Sequence, residues 1–192
     1  MSEIGNQLIN LAEEIRAMKG QLDFMRTLPL GGGGSLKIIA VEYAEFTATQ
    51  ATSVGAGNTM DITNLAITHA LEKATNGLLL LAQIGQYANS AGGTQGGVLF
   101  ANDDGDIHVG DPAAEIEVGA TGNSSSNTTY NSRSLNLLTV FYPATLVSKT
   151  YKVRARNFNN STQTLYINRS QRDSSSVDAR ASSSFILVEF EA

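Results

Sequence analysis

The chain has 192 residues, enough for one domain with a segment to spare, and its 42% hydrophobic content permits a packed core. Only 16% of residues are charged and the net charge is −5, which argues against a general binder of phosphate backbones. Cysteine is absent, so disulfides, zinc–thiolate sites and cysteine nucleophiles are excluded too.

The first element is helical. Apolar residues fall at Ile4, Leu8, Leu11, Ile15, Met18, Leu22 and Met25, with spacings that alternate between four and three. That is a heptad seam without a slip: Leu8, Ile15 and Leu22 take one core position, and Ile4, Leu11, Met18 and Met25 take the other. Ser2-Glu3 is a start signal, and Pro29 with the glycines behind it is a stop. Gly5 and Gly20 weaken the helix by about 1 kcal/mol each relative to alanine, so three heptads alone are marginal. Periodicity by itself also fits an amphipathic helix packed on its own domain. The tract Gly31, Gly32, Gly33 and Gly34 favours self-association or insertion into a partner, since a helix docked on its own domain needs no swivel. The same "GGGGS" string is also a common laboratory linker. The expected division is a stem over 1–27, a glycine hinge over 28–35 and a head over 36–192.

From Leu36 the helical period disappears. Ser, Thr, Asn and Gly are abundant, as in β-rich chains with many turns. Strand-like runs follow in order: Lys37 to Phe46, Asn64 to Leu71, Gly77 to Ala88, Gly96 to Asn102, Asp106 to Gly110, Ala114 to Ala120 and Ser134 to Ala144. "KTYKVRARNF", "QTLYINRS" and "SFILVEFEA" complete about ten strands with no convincing helix between them. In "TYKVRAR", Tyr151, Val153 and Ala155 share one face and Lys152, Arg154 and Arg156 the other. In the last strand Ile186, Val188 and Phe190 oppose Glu189 and Glu191. "LLLL" at Leu78 to Leu81 is apolar on both faces; a sandwich covers one of them, and a neighbouring subunit would cover the other.

Chemistry is sparse. "NDDGDIHVGD", Asn102 to Asp111, has the aspartates of a calcium loop, but Gly105 is misplaced for the helix–loop–helix motif and no glutamate closes it. Asp-Gly between strand-like runs reads better as a hairpin turn that needs no ion. His69 and His108, the two histidines, both fall in strand-like runs without a second ligand nearby. The serine runs lack a nucleophile elbow and read as surface loops. Lys152, Arg154 and Arg156 form a basic stripe for which a solvated face, or pairing with Glu189 and Glu191, outweighs an anionic ligand. No enzyme activity, metal, cofactor or nucleic-acid partner is expected. The start "MSEIGNQLINLAEEIR" lacks the pattern of a secretion signal, and no run is long enough for membrane insertion as a helix.

The succession "ITHALEKATNGLLLLAQIGQYA", "SLNLLTVFYPATLVSKTYKVRARNF", "TLYINRS" and a Ser-rich loop into "SSSFILVEFEA" resembles the C-terminal jelly-roll domains of tailed-bacteriophage virion proteins. Those domains are similar in fold to the trimeric tumour necrosis factor and complement globular-head jelly rolls. The resemblance covers Leu36 to Ala192 in strand spacing and texture. It implies a mainly β, jelly-roll β-sandwich preceded by a short N-terminal coiled-coil helix. It further implies a homotrimeric virion fibre on tail or capsid, joined to other virion proteins through that helix. A host surface glycan or receptor is the partner of an adhesive head; capsid decoration without receptor binding, or a cellular trimeric ligand, are the alternatives. An adhesive tip should concentrate aromatic residues, and Tyr130 alone sits beside a polar loop.

Overall fold

The computed structural model describes residues 37–90, 96–107, 133–157, 160–171 and 181–191. The stem seam (Ile4, Leu8, Leu11, Ile15, Met18, Leu22, Met25), the hinge Gly31 to Gly34, the strand-like run Ala114 to Ala120 and His108 lie outside them. Within them the chain forms β-strands: β1 (Lys37–Phe46), β2 (Gln50–Val54), β3 (Thr59–His69), β4 (Gly77–Asn89) and β5 (Gly96–Asn102). Then come β6 (Gly105–Ile107), β7 (Arg133–Phe141), β8 (Lys149–Asn157), β9 (Gln163–Ile167) and β10 (Ser183–Glu191).

Two sheets face each other. The first runs β1-β10-β4-β9-β2, with β7 on the free edge of β4; the second runs β3-β8-β5-β6. Every pairing is antiparallel. With β2 and β9 set aside, the remaining strands interleave as two Greek keys, the arrangement of a jelly roll. β9 and β10 lie end to end along one edge of β4: Ile167 pairs with Tyr87, and Ser184 resumes the ladder at Gln83. β2 and β1 continue beside them in the same way, Gln50 opposite Ile167 and Phe46 opposite Ser183.

Buried Asn168 closes the gap where both composite strands break. Its backbone N–H donates to Gln86 O at 2.8 Å, and its Nδ2 donates to Phe46 O at 2.6 Å and Ala48 O at 3.0 Å. Its Oδ1 accepts from Ser183 Oγ at 2.6 Å. The residue sits at φ 59°, a left-handed conformation that asparagine tolerates better than most side chains.

The core is made by the alternation of each strand. β8 turns Tyr151, Val153 and Ala155 inward, as its pattern predicts, and β10 turns Phe185 and Leu187 toward them. Aromatic pairs join the layers: Phe100 to Phe185 at 5.6 Å and Phe141 to Tyr151 at 6.4 Å between ring centroids. β3 needs a correction of phase to stay half buried. Its ladder with β8 shifts between Asp61 and Ala66, and Asn64 at φ 62° lets both Ile62 and Leu65 face the core.

The expected strands over Gly77 to Ala88 and Gly96 to Asn102 match β4 and β5 within a residue. The turn at Asn102 to Asp106 is a hairpin, with Asn102 paired to Gly105 and Gly105 at φ 138°. β2 and the first half of β3 have no counterpart among the expected strands.

Candidate interaction face

The outward side of the first sheet is built from alternate residues of β1, β10, β4 and β7, and the registers align them in rows. Val41, Val188, Leu79 and Val140 form one row; Tyr43, Ile186, Leu81 and Leu138 form the next. Ile38, Phe190 and Gly77 form a third row toward the end of the sheet, and the ring of Tyr142, just past β7, lies over Gly77. Gly77 belongs to it as a space: a Cβ there would lie 2.8 Å from Tyr142 Cε1 and closer still to the Phe190 ring. The two rings fill that space and meet edge to face at 6.0 Å. On the other flank the apolar rows stop at Glu45, Ser184, Gln83 and Asn136.

The middle of this face is already a small core. Leu79, Val188 and Phe190 are buried, with Ile38, Leu81 and Ile186 packed around them. Its margins are bare. Val41 is 49% exposed, Tyr43 52%, Leu138 61% and Val140 50%. Single exposed apolar residues are ordinary, whereas rows that run across four strands mark a surface that meets another apolar surface. This is the second side of Leu78 to Leu81 that the sequence leaves without a cover.

The outside of the second sheet is the opposite in character. Lys152 and Arg154 both reach Asp61, at 3.2 and 2.6 Å, and Arg154 also reaches Asp106 at 3.1 Å. The Asp61 carboxyl is pushed up by its partial burial and pulled further down by these two cations, for a net lowering. Lys152 and Arg154 of the basic stripe therefore pair with Asp61 and Asp106. Glu189 and Glu191, the partners suggested by sequence, are engaged elsewhere. Nearby, Lys149 Nζ holds Asp104 at 2.6 Å and the Thr150 N–H donates to Asp103 at 2.8 Å, so the turn aspartates serve the protein itself.

Glu189 lies inside the sandwich. His69, at the end of β3, stands between two carboxylates: Nε2 is 2.9 Å from Glu189 Oε2 and Nδ1 is 2.6 Å from Glu42 Oε1 on β1. Glu189 Oε1 also accepts from Asn76 Nδ2 at 2.6 Å and from the Glu72 N–H at 2.8 Å. Burial raises the Glu189 pKa; the hydrogen bonds from Asn76, Glu72 and His69, with the His69 charge, outweigh it and leave the carboxyl below its ordinary value. At the surface Glu191 takes Lys73 and Lys37, and these hold its carboxyl down to about 2. The two nitrogens of His69 face different partners, and among the described residues no three acidic or imidazole side chains converge to hold a metal ion.

No protein-family profile and no curated protein matches the chain. Among solved structures it is similar to the infectious bursal disease virus Gx strain, at 11% identity and TM-score 0.40, over 80% of this chain and 37% of that one. The VP2 subviral particle of infectious bursal disease virus follows at 9% identity and TM-score 0.38, over 79% and 40%. A lipoprotein from Bacteroides thetaiotaomicron is similar at 12% identity and TM-score 0.28, over 83% and 91%. The chain thus spans about two fifths of the viral chains it matches, and the likeness to all three is too slight to carry a conclusion about this protein.

Proposed function

We propose that this protein is a homotrimeric structural component of a virion, whose heads pack through the outward face of the β1-β10-β4-β7 sheet and whose N-terminal stem attaches them to the particle. The observation that carries the assembly is the three-row apolar face, bounded by a polar row and set against an ion-paired opposite side. The occupant is a second copy of the chain. β1 supplies the first column of the face and follows directly on the hinge, so copies gathered by the seven-residue stem seam would hold these faces near one another. The virion role rests on the resemblance of strand order and texture read in the sequence. Between a fibre that meets a host surface and a capsid decoration, the reading favours no receptor chemistry, since among the described residues the exposed aromatic side chains Tyr43 and Tyr142 lie on the proposed assembly face.

Deleting Met1 to Gly34 tests the division of labour. The account expects a folded, trimeric β head that no longer joins assembling particles. A truncated head that incorporates normally removes the stem as anchor, and one that separates into monomers transfers trimerisation to the stem.

A further inference from the structure

The Glu42–His69–Glu189 cluster lies where the two sheets close on each other, with Glu42 on edge strand β1, Glu189 on β10 and His69 on β3. A carboxylate only accepts, so each of the two His69 contacts needs its own hydrogen. A neutral imidazole has one N–H. That hydrogen goes to Glu189, which is buried and has nowhere to turn, while Glu42 has a side chain 39% exposed. The bare Nδ1 lone pair would then face a Glu42 oxygen at 2.6 Å, a repulsive contact that Glu42 escapes by swinging into water. One further proton, on either the ring or Glu42, makes both contacts attractive.

We propose that Glu42, His69 and Glu189 form a clasp that fastens the edge strand β1 to β3 only while the three side chains share one proton more than a neutral imidazole supplies. The other groups around the cluster do not replace that proton. From β8, Lys149 pairs with His69 in the ladder but gives its ammonium to Asp104. The Tyr151 phenol, also on β8, is pushed up to about 12 by burial and by the charges of Asp104, Asp103 and Glu189, so it stays neutral. From the loop before β4, Glu72 offers its backbone N–H and Asn76 its amide, both to Glu189. Lys73 and Lys37 are held by Glu191. Raising the pH therefore opens the Glu42 contact and frees the inner side of β1, the strand that carries Ile38, Val41 and Tyr43 of the apolar face. This inference concerns the fold of one chain and does not depend on what covers that face.

The test is amide hydrogen exchange of the full chain, with β1 protection expressed relative to β4 and corrected for intrinsic rates, between about pH 6 and about pH 9. In the wild type the relative protection of Ala40 to Glu45 should fall about tenfold or more as the pH rises, the loss expected from one charge-assisted hydrogen bond. In Glu42→Gln the ratio should stay level, because the amide can donate to a bare Nδ1 or accept from Nδ1–H. A wild-type ratio that does not change with pH, or an equal fall in Glu42→Gln, overturns the clasp. The wild-type titration decides the matter even if the variant folds poorly, and light scattering on the same samples reports assembly separately.

Discussion

Glu189 is the clearest case of a single side chain whose loss the structure cannot absorb. Glu189→Ala removes the acceptor of Asn76, of the Glu72 N–H and of His69 at once. A destabilisation of about 3–5 kcal/mol is expected, read from urea denaturation. Its folded-state pKa lies below the ordinary 4.5, so its contribution is fully present above that value and is lost as the pH falls through the lowered one. Glu189→Gln should therefore flatten the acid limb of stability against pH below about 4.5; an unchanged acid limb would separate the residue from acid stability. Gly77→Ala is the second sharp case, since its Cβ must displace the rings of Phe190 and Tyr142. A cost of about 1–3 kcal/mol is expected, with a lower thermal midpoint. None of this is legible from sequence position. His69 and Glu189 are 120 residues apart, and nothing local to either announces the other.

At the scale of elements, what periodicity can and cannot tell is visible in β10. Its alternation separates Ile186, Val188 and Phe190 from Phe185, Leu187 and Glu189, and that separation is correct. Which side faces the core is not encoded in the strand, because both sides are largely apolar, and the acidic side is the inner one. β8 has no such ambiguity, since every outward residue of Lys152, Arg154 and Arg156 is cationic. β2 escapes a sequence reading because "QATSV" has one large apolar residue and borrows its order from β9. The Asn102–Gly105 turn was legible from Asp-Gly, and its aspartates are taken up by Lys149 and the Thr150 N–H. Chelator should accordingly leave the melting temperature unchanged; a rise on adding calcium would assign the turn an ion. The stem and hinge lie outside the described residues, so that part of the sequence reading stands as expectation.

The described residues form a sandwich with two unlike outsides. The second sheet meets water through ion pairs around Asp61 and Arg154, whereas the first presents rows of Val, Leu, Ile, Tyr and Phe that end at a polar border. Covering the residues of these rows that stay exposed, Val41, Tyr43, Leu138, Val140 and Tyr142, would be worth about 25 cal/mol per Å² of apolar area removed from water. Leu138 and Val140 stand out from the face on β7 and touch little of the chain's own core. Leu138→Glu with Val140→Glu should thus leave the fold intact, within about 1 kcal/mol, while placing charges on the exposed β7 margin of the proposed interface. Light scattering of the full chain at micromolar concentration tests the assembly most directly. The account predicts three times the 20.3 kDa chain mass for the wild type and a single chain mass for the double variant. A wild type that is monomeric at that concentration, or a double variant that remains trimeric, would contradict it.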